Sequence, residues 1–348
     1  MEHAQHEFFM QRCLQLARLG DGHVAPNPMV GAVLVHEGQV IGEGYHRVYG
    51  QAHAEVNCVN SVPEGLRELV PKATMYVTLE PCAHHGKTPP CADLLVAQKI
   101  PRVVIGCVDT FSAVAGRGIA KLEAAGVEVT TGVLEADCRQ INRRFFTYHE
   151  KKRPYIVLKW AQSADGYIAP ENGQPVRISN QYANRLVHRW RSAEMGIMVG
   201  TQTALADNPR LTTRLWPGKS PVRLVIDREL KVPPHYHLWN NEAPTFFITA
   251  VKGRTQTIVV DFENGNLLPS LLAELHSAGI QSVMVEGGAR LLESFISSGL
   301  WDEMRVITGS VLLGGGLKAP APGHVQLQEE AHVMGDRIAI YTPPSSST

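Results

Sequence analysis

His53, Cys82 and Cys91 constrain this chain more than any other feature, because they lie on three separate segments and share one coordination chemistry. His53-Ala54-Glu55 opens a stretch of helical pattern, and Pro81-Cys82 follows a β-rich run ending Thr78-Leu79-Glu80. Cys91 comes after the loop 83–90. One imidazole and two thiolates make a three-ligand zinc set, which leaves the fourth position for water, as a catalytic site requires. A helix N-terminus just after a ligand favours its thiolate form. Zinc lowers the pKa of that water, and Glu55, beside His53 but distinct from it, is placed to move its proton. Two other readings stay open at this point. A structural zinc site takes a fourth protein ligand, which His84 or His85 can supply. With no metal at all, His-x-Glu is a chance pair and the cysteines are buried core residues.

The six cysteines, Cys13, Cys58, Cys82, Cys91, Cys107 and Cys138, all fall in the first 138 of 348 residues. A disulfide scaffold is small, secreted and cysteine-dense, and this chain is none of these. The asymmetry instead says that the two halves differ in chemistry. At roughly 100–200 residues per domain, two domains are expected. The segment Glu150-Lys151-Lys152-Arg153-Pro154 is charged and ends in proline, so we place a linker at 150–154 between domains 1–149 and 155–348.

Both halves alternate strands with helices, which points to α/β layers. In the first, 7–17 has helical spacing, 30–41 reads as a hairpin, and 75–79 and 103–106 read as strands. In the second, strands are expected at 156–158, 196–199, 222–227, 246–248, 258–260 and 282–286. Helices are expected at about 181–192, 267–278 and 290–298.

Lys+Arg and Asp+Glu are equal at 33 each, and the two halves carry −3 and +3. A neutral chain argues against nucleic acid as the main partner, since phosphate-backbone binding needs clustered Lys and Arg. Aliphatic runs such as Val33-Leu34-Val35 are far below the ~18–20 residues of a membrane helix. The N-terminus shows no basic region followed by an apolar stretch. The expectation is a cytoplasmic, homo-oligomeric protein with a small-molecule ligand, no nucleic acid and no membrane.

Chemical signals in the second half are weaker. Glu286-Gly287-Gly288 stands between a strand and a helix, where glycines let a phosphate approach backbone N–H groups. A tight turn explains the same residues. Leu312-Leu313-Gly314-Gly315-Gly316 is equally ambiguous, and no G-x-G-x-x-G follows the first strand of this half.

Pro26-Asn27-Pro28-Met29-Val30-Gly31, Gly44-Tyr45-His46, His53-Ala54-Glu55-Val56 and the run Glu80–Cys91 resemble the deaminase half of the bifunctional riboflavin-biosynthesis deaminase/reductase family. The wider cytidine deaminase superfamily has two residues between its cysteines. This chain has eight, in the H-x-G-K-T-P-P-C form of the riboflavin enzymes. The resemblance implies zinc ligands at His53, Cys82 and Cys91 and a proton shuttle at Glu55. It implies substrate contacts at Asn27, His46, His84, Lys87 and Asp109.

Lys159-Trp160-Ala161-Gln162-Ser163-Ala164-Asp165-Gly166 resembles the K-x-A-x-S-x-D-G element of the same family's reductase half. His188–Arg191, Gly200–Thr203, Asp207–Arg214 and Glu286–Gly288 follow in the same order. The implied fold is a cytidine-deaminase-like three-layer domain followed by a dihydrofolate-reductase-like domain that binds NADPH without a Rossmann fingerprint. Lys159 and Glu286 are implied near the reacting ribose, with Arg191, Leu211 and Arg214 around the phosphorylated substrate. Ala161, Arg177, Thr203, Asp207 and Gly288 are implied at the cofactor. The implied activity is zinc-dependent deamination of a ribosylaminopyrimidinone 5′-phosphate, then NADPH-dependent reduction of its ribose to a ribityl chain.

Several positions depart from the family pattern. Phe111 replaces an asparagine, Pro175 a substrate-contacting serine, and Arg177 a tryptophan beside the nicotinamide. Gly309-Ser310-Val311 stands where A-P-K is common. An active deaminase fused to a degenerate reductase-like domain is therefore the alternative, and failure to bind NADPH would mark it. A nucleic-acid-editing deaminase is a further alternative; it calls for a basic groove, which a half of net −3 does not favour.

Overall fold

The computed structural model describes residues 2–84, 89–110, 116–174, 176–263 and 265–344. His85, Lys87, Phe111 and Pro175 lie outside the described residues. The chain divides into two compact units, Met1–Lys151 and Lys152–Thr348. The charged segment expected as a linker is helical at its start, because Glu150 and Lys151 close the last helix of the first unit.

The first unit runs α1 (Glu2–Ala17), β1 (Gly31–His36), β2 (Gln39–Tyr45), α2 (Ala54–Asn60), β3 (Thr74–Leu79), α3 (Cys91–Ala97), β4 (Arg102–Cys107), α4 (Arg117–Ala124), β5 (Glu128–Thr131), α5 (Glu135–Ile141) and α6 (Arg143–Lys151). Among the described residues its sheet has the order β2-β1-β3-β4-β5. β1 is antiparallel to β2 and β3, whereas β3, β4 and β5 are parallel.

Period-2 alternation sends the strand side chains to two separate cores. Ala32, Leu34, Met75, Val77, Val103 and Ile105 pack with Ala54, Cys58, Ala92 and Leu95 of α2 and α3. Val33, Val35, Tyr76 and Val104 pack with Phe9, Met10, Cys13 and Leu14 of α1 and with Cys138 and Phe146. The sheet is thus covered on both faces, and every residue of β3 is buried. Cys13, Cys58, Cys107 and Cys138 are buried free thiols, each pushed up by burial, as core cysteines should be.

The second unit runs β6 (Tyr155–Gln162), β7 (Tyr167–Ala169), α7 (Gln181–Ala193), β8 (Gly196–Gly200), α8 (Thr201–Asp207), β9 (Val222–Ile226), β10 (Thr245–Thr249), β11 (Thr257–Val259), α9 (Leu267–Ser277), β12 (Ser282–Glu286), α10 (Ala289–Ser298), β13 (Glu303–Thr308), β14 (Leu317–Lys318), β15 (Gln326–Val333) and β16 (Asp336–Thr342). Its main sheet has the order β11-β10-β9-β8-β12-β6-β13-β16-β15. All neighbours are parallel up to β13, after which β16 and β15 add antiparallel.

One core joins Ile156, Leu158, Val283 and Val285 to α9 and α10 through Leu271, Leu275, Leu292 and Phe295. The other joins Tyr155, Val157 and Met284 to α7 through Ala183, Val187 and Trp190. By the same alternation Lys159 and Glu286 point to the α7 face. α7 is fixed at its start by Asn180, whose side-chain oxygen accepts from Tyr182 N and Ala183 N (2.8 and 3.0 Å). Asn180 N in turn donates to Asp336 Oδ2 (2.7 Å).

The glycine run 314–316 takes a structural role. Asp165 accepts from Leu313 N and Gly314 N (3.2 and 2.7 Å), and β14 then pairs with β7. Gly316 has φ 129°, and a Cβ there would stand 2.1 Å from Ala169 O, so only glycine fits.

Candidate functional site

The first constellation gathers at the carboxyl edge of the β3–β4 pair, where open α/β sheets form crevices. His53 is the N-cap of α2, Cys82 follows β3, and Cys91 is the first residue of α3. His53 Nδ1 lies 3.6 Å from Cys82 Sγ and 3.4 Å from Cys91 Sγ, and the three donor atoms fall within 4.8 Å of one another. Among the described residues this is the metal-ligating cluster found, and it has three members. Exposed His84 is not one of them, and His85 lies outside the described residues. One nitrogen and two sulfurs converging with one position left open fit a catalytic zinc ion.

Cys82 is pushed down to about 4 by its hydrogen bonds with Cys91 and His53, while Cys91 is pushed up by Cys82 and by burial. Cys91 N also donates to Cys82 Sγ (3.3 Å). Glu55, in the first turn of α2, is buried and hydrogen-bonds Cys91. Burial and the Cys82 thiolate push its carboxyl up to about 6. A dication among the donors opposes that push.

Asn27 and His46 meet beside the cluster. The His46 ring stands edge-on to that of His53, with centroids 5.4 Å apart. Its Nδ1 lies 3.1 Å from Ala52 O and its Nε2 3.1 Å from Asn27 Nδ2. A carbonyl only accepts and the amide nitrogen only donates, so this pairing makes His46 neutral with its proton on Nδ1. Burial lowers its pKa in the same sense. Asp109 is buried just beyond β4.

Sequence reasoning missed two residues that hold this site. Asn142 accepts from Met29 N (2.7 Å) and donates to Met29 O (2.8 Å), clamping the segment that carries Asn27. Asn57 donates to Tyr45 O (2.8 Å) and Ala52 O (3.2 Å), which fixes the turn around His46. Asn142 sits 113 residues from its partner, so no local pattern reveals it.

The second constellation lies where β6 and β12 end side by side, with Glu286 in register with Lys159. Arg191, in the last turn of α7, donates from Nε and Nη2 to the two Glu286 carboxylate oxygens (2.8 and 2.9 Å). Lys159 Nζ stands 3.6 Å from Glu286 Oε2. The two cations hold Glu286 down at about 2 against the opposing effect of burial. Burial and Arg191 lower Lys159, and Glu286 counteracts them.

Arg191 also donates to Thr212 O (3.2 Å), and Arg214 Nη1 donates to Thr212 Oγ1 (3.0 Å). Buried Leu211 has φ 56° in this tightly held segment. Lys159, Arg191, Leu211, Arg214 and Glu286 are therefore brought together.

Of the residues implied at the cofactor, Thr203 and Gly288 meet. Gly287 and Gly288 have φ 99° and 76°, and added Cβ atoms would come within 3.2 Å of Thr203 Cγ2 and 3.3 Å of Thr203 Oγ1. Gly288 is the N-cap of α10 and supplies no side-chain cap, which leaves N–H groups of the first turn open to an anion. That cradle fits a dinucleotide phosphate. Ala161 lies on β6 opposite Ile307, whereas Asp207, the last residue of α8, and Arg177, before α7, are exposed.

His188 carries a testable consequence. Its Nδ1 accepts from Arg214 N (2.9 Å), so that nitrogen is unprotonated. Burial and the charges of Arg191 and Arg214 push the ring from 6.5 down to about 4. The unfolded chain takes up this proton first, so stability present above pH 6.5 is lost as pH falls toward 4. The loss amounts to roughly 3 kcal/mol at most. His188→Asn keeps an acceptor for Arg214 N–H and removes the titration. It is expected to flatten the fall of the denaturation midpoint between pH 6.5 and 4. An unchanged slope would assign the effect elsewhere.

Residues 3–107 match the model of the cytidine and deoxycytidylate deaminase zinc-binding region, and residues 154–337 match that of the RibD C-terminal domain. Riboflavin biosynthesis protein RibD of Bacillus amyloliquefaciens is 41% identical, over 97% of this chain and 94% of that protein. RibD of Aquifex aeolicus is 38% identical, over 95% and 94% respectively. The chain belongs to the RibD family. Among solved structures, the Thermotoga maritima diaminohydroxyphosphoribosylaminopyrimidine deaminase/5-amino-6-(5-phosphoribosylamino)uracil reductase superposes with a TM-score of 0.90. It is 33% identical, over 99% of this chain and 100% of that one. Acinetobacter baumannii RibD gives 0.89 at 31% identity with the same coverage.

A RibD chain joins a zinc-binding deaminase domain to a reductase domain, as the two constellations require. The degenerate-reductase alternative is not favoured, because the relatives span both halves and the second constellation is assembled. Among the described residues no helix is long and apolar enough to cross a membrane.

Proposed function

We propose that this chain carries out two consecutive reactions on one ribosylaminopyrimidine 5′-phosphate: hydrolytic deamination of the ring, then reduction of the ribose to a ribityl chain. The observation that carries the reading is the His53–Cys82–Cys91 donor set with buried Glu55 beside it, in a chain whose relatives extend over both halves. When bound there, zinc supplies a Lewis acid that makes water a nucleophile at neutral pH.

Glu55 takes the proton from the attacking water and returns one to the departing amine, so that water is consumed and ammonia leaves. Neutral His46 and Asn27 orient the substrate beside that carboxylate, with Asp109, His84 and Lys87 toward its ribose phosphate. In the reductase unit, Arg191 and Arg214 offer planar guanidinium groups suited to a phosphate monoester. Lys159 and Glu286 stand at the reacting ribose. Thr203, Ala161, Arg177, Asp207 and the Gly288 turn form the cofactor side. When bound there, NADPH would supply the hydride equivalent for reducing the ring-opened ribose. The free cysteines suit a reducing, cytoplasmic compartment.

The test reads the two steps separately on the diaminopyrimidine substrate. Ammonia release and NADPH oxidation are both expected. Removal of zinc by a chelator is expected to abolish ammonia release while NADPH oxidation on the already deaminated compound continues. Ammonia release that survives complete zinc loss would refute the deaminase half of the proposal, and absence of NADPH oxidation on the deaminated compound would refute the other half.

A further inference from the structure

Glu80 ends the strand that leads to Cys82, and its carboxylate is buried at 4% exposure. Its neighbours are backbone N–H groups. Oε2 accepts from Asp109 N (3.2 Å) and Gly116 N (3.0 Å). Oε1 accepts from Gly118 N (2.9 Å) and Ile119 N (3.4 Å). Gly116, Gly118 and Ile119 belong to the start of α4, whose N-cap Gly116 has φ 72° and contributes no side-chain cap. Glu80 therefore caps α4 from another strand and binds the backbone of Asp109 with the same carboxylate.

The approach is close. A Cβ at Gly118 would stand 1.9 Å from Pro81 O and 3.2 Å from Glu80 Oε1. Glu80 N also donates to Cys107 O (3.0 Å), locking the ends of β3 and β4 together. Asp109 and the start of α4 are thus attached through one side chain to the segment that bears Cys82.

We propose that Glu80 is a positioning residue of the deamination reaction, setting Asp109 relative to the Cys82 ligand. This rests on the reading of Asp109 as a substrate contact given above. A carboxylate is required because four donors point at it and an amide offers only one accepting atom. In Glu80→Gln, the NH2 group would face N–H groups on one side.

The test uses the zinc-loaded full chain with Glu80→Gln, Asp109→Ala and the double variant. Glu80→Gln is expected to raise KM for ammonia release about tenfold, with kcat nearly unchanged. Zinc is expected to stay at one ion per chain, and NADPH oxidation on the deaminated compound to stay normal. Asp109→Ala is expected to raise KM at least as much, and the double variant to match Asp109→Ala alone, because Glu80 acts through Asp109. Glu80→Asp, shortened by one methylene, gives the same signature should the amide variant fail to fold.

An unchanged KM in Glu80→Gln while Asp109→Ala is impaired would overturn the proposal alone. So would loss of zinc in step with activity, or effects that multiply in the double variant. A normal KM in Asp109→Ala would overturn the substrate-contact reading, and the proposal with it.

Discussion

Glu55→Gln is expected to slow ammonia release by about 100- to 10,000-fold, the range a positioned acid–base group contributes. The side chain is 3% exposed, and glutamine fills the same volume, so the packing of α2 against the sheet should survive. What is lost is the capacity to accept a proton from water and return it to the leaving amine. The three donors His53, Cys82 and Cys91 are untouched, so zinc should remain bound at one ion per chain. NADPH oxidation on the deaminated compound should be unaffected, because its candidate residues all lie in the other unit. Normal ammonia release with zinc in place would sink the shuttle assignment. Loss of zinc together with activity would show that Glu55 holds the cluster rather than moving protons.

The parts of this protein that could be read from the chain are those encoded by local pattern. Val33-Leu34-Val35 and Met75–Leu79 alternate between two cores that both exist, so strands with helices on either face were legible. The zinc donor set was legible because one imidazole and two thiols beside a His-x-Glu make a known zinc ligand combination. β13 was not read as a strand. Its Glu303 and Arg305 are charged yet buried, and they pair with each other (2.5 Å), which hides the apolar alternation of a central strand. β15 was also missed, since Gln326–Glu330 is an exposed edge whose polar side chains resemble a loop. Asn142, and the supporting roles of Glu80 and His188 within motifs matched for other reasons, were not legible for a third reason: each serves the site by binding backbone atoms 26 to 113 residues away. Backbone partners leave no trace in the sequence.

In the reductase unit, Glu286→Gln is expected to abolish NADPH oxidation on the deaminated compound and to lower stability by about 3–5 kcal/mol, as for a buried ion pair that loses one partner. Among the described residues Glu286 is the carboxylate that pairs with both Lys159 and Arg191, and all three side chains are at most 13% exposed. Removing its charge leaves two buried cations repelling each other. Lys159 responds, because its pKa is already lowered by burial and by Arg191, with Glu286 counteracting both. Without that carboxylate it sheds its proton more readily, and the fork of Arg191 is released from the geometry that also holds Thr212 O. Arg191→Lys separates charge from geometry. It keeps the cation and loses the two-pronged bond, so its stability loss should be smaller while KM for the phosphorylated substrate still rises. Equal stability in Glu286→Gln and the parent chain, measured by denaturant unfolding of the reductase unit, would mean that the carboxylate is not what offsets these charges. The ion triad would then be a product of packing rather than its support.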